Sequence, residues 1–169
     1  LPKLSDRRLV AIWNKANAQA SDLFYYVVLK DDRAIKVLLA YLNSSIGAMI
    51  GELYGRSYGG GVLDIKVYEA KQFPIIDPSE LEDAEKQSIT EGFDSLAEVI
   101  RDRCEAEDDY DHARAKSKAK GAKGLFEDEA ARRLDEAIQA EEEARRKLDE
   151  TIHKVLGLSA NERKQVEDG

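Results

Sequence analysis

The chain has 169 residues, with 26 Lys and Arg against 34 Asp and Glu, a net charge of −8. Charged residues make up 36% and hydrophobic ones 43%, enough apolar material for a core, which excludes wholesale disorder. The acidic balance argues against a stand-alone nucleic-acid binder held by a cationic surface. One cysteine, Cys104, excludes an internal disulfide framework and a cysteine-based zinc site, and two histidines, His112 and His153, leave little for metal or triad chemistry.

The overall charge hides a division. Residues 1–78 hold 10 basic and 8 acidic side chains, whereas residues 79–169 hold 16 basic and 26 acidic. Nine of the twelve aromatic residues also fall in the first part, from Trp13 to Phe73. The expected architecture is α+β and mostly α-helical. A small aromatic-rich α+β part over 1–78 precedes an extension of long, antiparallel, charged helices over 79–169. The chain opens on Leu1 and its one methionine is Met49, which reads as a piece of a longer protein.

In chain order, Arg8–Trp13 and Leu23–Leu29 are rich in β-branched and aromatic residues and read as strands, the second apolar enough to be buried on both faces. Asp31 or Asp32 caps a helix expected from Arg33 to Tyr54, with Ile35, Leu38, Leu39, Leu42, Ile46, Met49, Ile50 and Leu53 at helical spacing. Gly47 and Gly51 leave a smooth face for close approach of another element. The longest uncharged run, Val37 to Gly51, is fifteen residues and contains Asn43, Ser44 and Ser45. That is shorter than the ~17–25 residues of a membrane span, so it reads as a core helix and no membrane is expected.

Gly55-Arg-Ser-Tyr-Gly-Gly-Gly61 ends the helix, and Val62–Val67 reads as a short strand. Asp77, Pro78 and Glu80 form a helix start of cap, first-turn proline and capping box, for a helix reaching Arg103. Residues 105–124 change sign from acidic to basic and read as a solvated loop or frayed helix, a flexible charged segment. A last long helix spans Leu125–Leu156. Its Glu141–Arg145, Glu142–Arg146 and Glu143–Lys147 pairs sit at the favourable four-residue spacing. Gly157 and Leu158 stop it, and Ser159-Ala-Asn-Glu162 opens a short final helix.

The Gly-rich loop is the most unusual local feature. It is neither a P-loop, lacking Lys and Ser or Thr after its last glycine, nor a dinucleotide fingerprint, lacking strand–loop–helix order. Its two open readings are a tight structural connection and a phosphate contact through Arg56, Ser57 and the amides of Gly59, Gly60 and Gly61. Cys104 and His112, eight residues apart, read as unrelated surface groups rather than a catalytic pair. His153 reads as a surface or half-buried histidine. The dispersed carboxylates and the basic run Arg114–Lys123 read as solvated.

The block Leu38-Leu-Ala-Tyr-Leu-Asn-Ser-Ser45, then Gly55-Arg-Ser-Tyr-Gly-Gly-Gly-Val-Leu63, then Phe73-Pro-Ile75, resembles the C-terminal region of adenine-specific DNA methyltransferases of restriction–modification systems. The similarity is strong over about 22–78 and loose over 125–168. The resemblance implies an S-adenosylmethionine-dependent parent enzyme of the prokaryotic cytoplasm. Such enzymes flip the target adenine out of the base stack and hold it with an Asn/Asp-Pro-Pro-aromatic motif. Neither that motif nor the cofactor loop occurs here: Asp77-Pro78 is followed by Ser79 and Glu80. The chain is therefore expected to be a non-catalytic portion holding no cofactor itself. Its implied task is to position and recognise double-stranded DNA beside its own catalytic domain. Arg56 is the leading candidate for a phosphate or base-edge contact, with Asn43, Ser57, Tyr58, Gly59, Gly60, Gly61 and Lys66 behind it. The competing reading is a helical interaction module, through which the chain forms a homo-oligomer or binds another subunit.

Overall fold

A computed structural model describes residues 4–5, 9–16, 18–29, 31–58, 62–120 and 125–168. The fold is mostly α-helical. The helices are α1 (Asp32–Leu42), α2 (Ser45–Tyr54), α3 (Val67–Ala70), α4 (Asp83–Lys120), α5 (Leu125–Val155) and α6 (Ala160–Asp168). Strand is confined to β1 (Leu4–Ser5), β2 (Arg56–Tyr58) and β3 (Val62–Asp64), so the α+β part amounts to one small antiparallel sheet in the order β1-β3-β2. The chain divides into two compact units, one of Leu1–Phe93 with Leu148–Gly169, the other of Asp94–Lys147.

The single helix expected from Arg33 to Tyr54 is two helices bent by 68°. The cause is a pair of polar side chains at the junction. Asp31 caps α1 by accepting from the Arg33 N–H, as expected. At the other end Ser44 turns extended (φ −81°, ψ 173°), and its hydroxyl donates to the Tyr41 carbonyl and accepts from the Gly47 N–H. One serine thus satisfies a terminal acceptor of α1 and a terminal donor of α2. Gly47 permits the sharp bend, because the α1 backbone at Leu42 passes against it. At Gly51 an added Cβ would meet Leu9 at 3.3 Å and Leu63 at 3.5 Å, so the small-residue face is used for close approach.

The core of the first unit gathers on these two helices. Val37, Ala40, Leu42 and Ile50 are buried, with Leu9, Ile65, Phe73, Ile76, Ile89, Leu148 and Ile152. No single helix is long and apolar enough to cross a membrane among the described residues. The start of α2 is closed by α5. The Asp149 carboxylate accepts from the Ser45 N–H at 2.7 Å, and His153 Nε2 lies 3.1 Å from Ser45 Oγ. An anion at a helix N-terminus answers both the unpaired amides and the helix dipole. His153 is 1% exposed, which corrects the surface or half-buried reading. The helix stop is as expected: Gly157 has φ +67°, and the Leu158 N–H donates to the His153 carbonyl. Ser159 and Glu162 then cap α6, which lies against α2.

Two more expectations are corrected and an open one is resolved. The strands expected over Arg8–Trp13 and Leu23–Leu29 are absent from the described residues: 9–14 and 25–29 join no sheet, Phe24 makes only an isolated bridge, and Arg8 lies outside the described residues. Asp77 does cap Pro78–Glu80, but that is one 3-10 turn; Leu81 is extended, and α4 starts at Asp83. Of the segment 105–124, expected as loop or frayed helix, residues 105–120 take the helical alternative and continue α4 to Lys120, because Ala, Glu, Lys and Arg favour helix whatever their charge order, and 121–124 lie outside the described residues.

In the second unit, α4 and α5 run antiparallel. Arg103 Nε donates to Glu141 at 2.5 Å, and Arg133 reaches Asp109 at 3.0 Å. Ala106, Ala130 and Ala144 are buried in this unit, as is Leu96. Burial pushes the Glu141 carboxyl up, but the Arg145 and Arg103 guanidiniums outweigh it and hold the group below the usual range. Arg145 and Lys147 pair with Glu141 and Glu143 as expected, while Arg146 turns to Glu143 rather than Glu142.

Candidate nucleic-acid interface

Arg56 was read as part of a glycine loop and is instead the first residue of β2. It pairs with Asp64 across the sheet, as Ser57 does with Leu63 and Tyr58 with Val62. This short hairpin ladder gives Arg56 a defined place. Gly55 precedes it against Leu63 and the Gly51 carbonyl, where an added Cβ would meet atoms at 2.6 Å.

A cluster of charge surrounds Arg56. Its Nε donates to Glu69 Oε1 at 2.6 Å, an Nη donates to the Tyr68 hydroxyl, and the guanidinium stands 5.6 Å from the Tyr68 ring centroid. The other Glu69 oxygen accepts from the Lys66 N–H at 2.8 Å. Lys66 Nζ in turn pairs with Asp64 at 2.6 Å. The carboxylates are the buried partners and the cations the exposed ones: side-chain exposure is 56% for Arg56 and 45% for Lys66, against 11% and 9% for Glu69 and Asp64. The acids act as sockets from which two cations project.

The Glu69 carboxyl is held below the usual carboxylate range, foremost by the Lys66 N–H, with Arg56 and Tyr68 adding to it and burial opposing. A lowered folded value means that the stabilisation is full above the ordinary carboxylate range and lost as pH falls through Glu69's own value. The stability gap between the wild type and Glu69→Gln is therefore expected to be widest at neutral pH and to close in acid. Urea unfolding of both across pH measures it, and a gap that stays constant into acid would remove Glu69 as the anchor.

Arg56 and Lys66 are thus brought together around Glu69, and Asn43 is not part of that cluster. Its carboxamide donates to the Ala11 and Leu39 carbonyls at 2.9 and 2.8 Å and accepts from the Ala11 N–H at 3.2 Å. Ser57 and Tyr58 lie on β2, and Gly59, Gly60 and Gly61 lie outside the described residues. Asp64, Tyr68 and Glu69 escaped the sequence reading. The available signal was Glu69 three residues after Lys66, the spacing of a side chain that turns back on a helix start. Cys104 and His112 stay apart, since eight residues of helix span ~12 Å.

The motif segments converge in the first unit. The Tyr41 hydroxyl donates to the Pro74 carbonyl at 3.1 Å, and Tyr54 meets Phe73 edge to face at 5.6 Å between centroids. The Leu-Asn-Ser helix end, the Gly-Arg-Ser strand and the Phe-Pro-Ile element are therefore parts of one packed body. This body carries the Arg56–Glu69 and Lys66–Asp64 ion pairs on its surface. The family model of the C-terminal domain of the type II methyltransferase M.Eco57I matches residues 5–113, and the chain belongs to that family of restriction–modification methyltransferase domains. The match takes in α1, α2, α3 and the sheet, and it ends within α4. Comparisons with curated proteins and with solved structures returned no match.

Proposed function

We propose that this domain positions and recognises double-stranded DNA for an adenine-specific methyltransferase, with Arg56 as the principal contact. The reading is carried by one observation: a half-exposed guanidinium held along one edge by the buried Glu69 carboxylate and braced by Tyr68. A cation fixed before binding loses little side-chain freedom on meeting a phosphate or a guanine edge. Lys66, tethered to Asp64, supplies a second cation on the same cluster. The near-neutral balance of residues 1–78 repels DNA less than the acidic extension would. The methyl group comes from S-adenosylmethionine bound elsewhere in the enzyme, because this chain carries neither the cofactor loop nor the Asn-Pro-Pro-aromatic motif.

The test uses the complete methyltransferase and two variants. Arg56→Ala is expected to weaken specific DNA binding about tenfold or more at fixed salt, in keeping with the ~1–3 kcal/mol of one good bidentate contact. Glu69→Gln keeps the guanidinium but loosens its socket, and it is expected to weaken binding less. Unchanged affinity and unchanged sequence choice in Arg56→Ala would leave Arg56 with a structural role only.

A further inference from the structure

Residues 23–29, Leu-Phe-Tyr-Tyr-Val-Val-Leu, contain no charge and are β-branched or aromatic at five of seven positions. Such a composition belongs inside a sheet. Here it lies on the surface of the first unit: Leu23 is 52% exposed, Tyr26 61%, Val27 55% and Val28 88%. Val10 and Ile12 add further exposed apolar surface from residues 9–14. A cleft of about 310 Å3 is lined by both segments and by Leu38, Leu39 and Leu42 of α1. The backbone of Val27, Val28 and Leu29 makes no hydrogen bond within the chain among the described residues. One tether is the Tyr25 hydroxyl, which donates to the Ile65 carbonyl at 2.8 Å.

We propose that residues 23–29 and the adjoining cleft receive an apolar extended segment from the catalytic part of the methyltransferase, which pairs with this backbone as an added strand. Two observations select this occupant. Sheet edges that stay in water are guarded by Lys, Pro or charge, and 23–29 has none, so the segment is built to be covered. A patch that is always covered has the composition of a core, which suits a permanent partner. The family supplies one, because a C-terminal domain of a methyltransferase works beside the part that transfers the methyl group. Backbone pairing gives the added segment affinity, and the cleft over α1 gives its side chains a register.

The inference rests on family membership and not on the DNA reading of Arg56. Its test is hydrogen exchange on the complete methyltransferase without DNA. The amides of Val27, Val28 and Leu29 are expected to exchange about 100-fold or more below the rates of an open chain, a difference of ~2.7 kcal/mol. Val28→Lys is expected to abolish that protection while α1 amides at Val37 and Ala40 keep theirs, which separates a lost contact from a lost fold. A photo-crosslinking residue at position 28 is expected to join the catalytic part of the same polypeptide. Open-chain exchange, protection that appears only on adding DNA, or cross-links only between two copies of residues 23–29 would each overturn the proposal. DNA affinity of Arg56→Ala reads the proposed function separately, so either reading can fail alone.

Discussion

Gly47→Ala is expected to cost about 3 kcal/mol or more of folding stability, although alanine is the better helix former by ~1 kcal/mol. An added Cβ at position 47 would stand 2.3 Å from the Leu42 carbonyl oxygen and 2.6 Å from its carbon. Those are backbone atoms at the end of α1, and no rotamer change relieves the overlap. Relief requires opening the 68° bend between α1 and α2, which carries Ile46 and Ile50 out of their buried places. Gly92→Ala is the natural control. There the nearest atom is the end of the Leu148 side chain at 3.2 Å, a methyl that has to give by only a few tenths of an ångström, so the expected loss is much smaller. Urea midpoints of both variants check the contrast. A Gly47→Ala protein as stable as the wild type would show that the bend does not depend on the missing side chain.

Asn43→Ala is expected to lose about 2–4 kcal/mol, because it strips partners from two backbone groups of Ala11, each worth ~1–3 kcal/mol when buried and unmet. Ala11 is 9% exposed, so water reaches it poorly. Asn43→Asp is the sharper probe, since it keeps the shape and changes only the hydrogens. The carboxylate still accepts from the Ala11 N–H, but its second oxygen then faces the carbonyls of Ala11 and Leu39, where the native NH2 donates. The charged form is disfavoured in the fold, so the folded value lies above the ordinary one. The variant is thus expected to be most stable in acid and to weaken as pH rises through the carboxylate range, opposite in sign to Glu69. Unfolding midpoints against pH decide it. An Asp variant as stable at neutral pH as in acid would exclude this use of the carboxamide.

Both predictions fall in the segment that carried the family resemblance, and they show why the residue types matter. In the Leu-Asn-Ser run, Asn43 fastens residue 11 to the end of α1, Ser44 turns the chain, and Ser45 presents its amide to Asp149. Asn43, a lesser candidate for DNA contact by sequence, has its carboxamide bonded to Ala11 and Leu39 within the protein. The helix break has a local part, the Ser44 cap between Tyr41 and Gly47, which continuous apolar spacing hides, and a part that is not local. Hydrophobic spacing continues smoothly from Ile35 to Leu53, and the groups that reward a bend lie 32 residues before Asn43 and 104 after Ser45.

Arg56 followed the same logic in reverse. Arg56–Tyr58 and Val62–Asp64 pair as a hairpin four to eight residues apart, a local signal that the four glycines in seven residues obscure. What local pattern does not reach is the half-exposed arginine resting in a buried carboxylate 13 residues on. His153 sits among polar neighbours in sequence, so its complete burial depends on where α5 meets the start of α2. Residues 23–29 were read as a buried strand from composition. The composition stands, and the exposure of Val28 is what makes that segment informative.

By itself, the sequence determined whatever depends on a few neighbouring residues. Asp31, Asp77, Gly157 and the Ser159–Glu162 box each mark a helix boundary through bonds no longer than one turn. It also determined the mainly helical class and the family, because apolar spacing and motif order survive without coordinates. Tertiary structure alone decided the distant ties at the bend, the socket under Arg56, the burial of His153 and the exposure of residues 23–29. Each of these is a pairing, or a missing pairing, between groups distant along the chain, and such contacts form only once the intervening residues have folded into place.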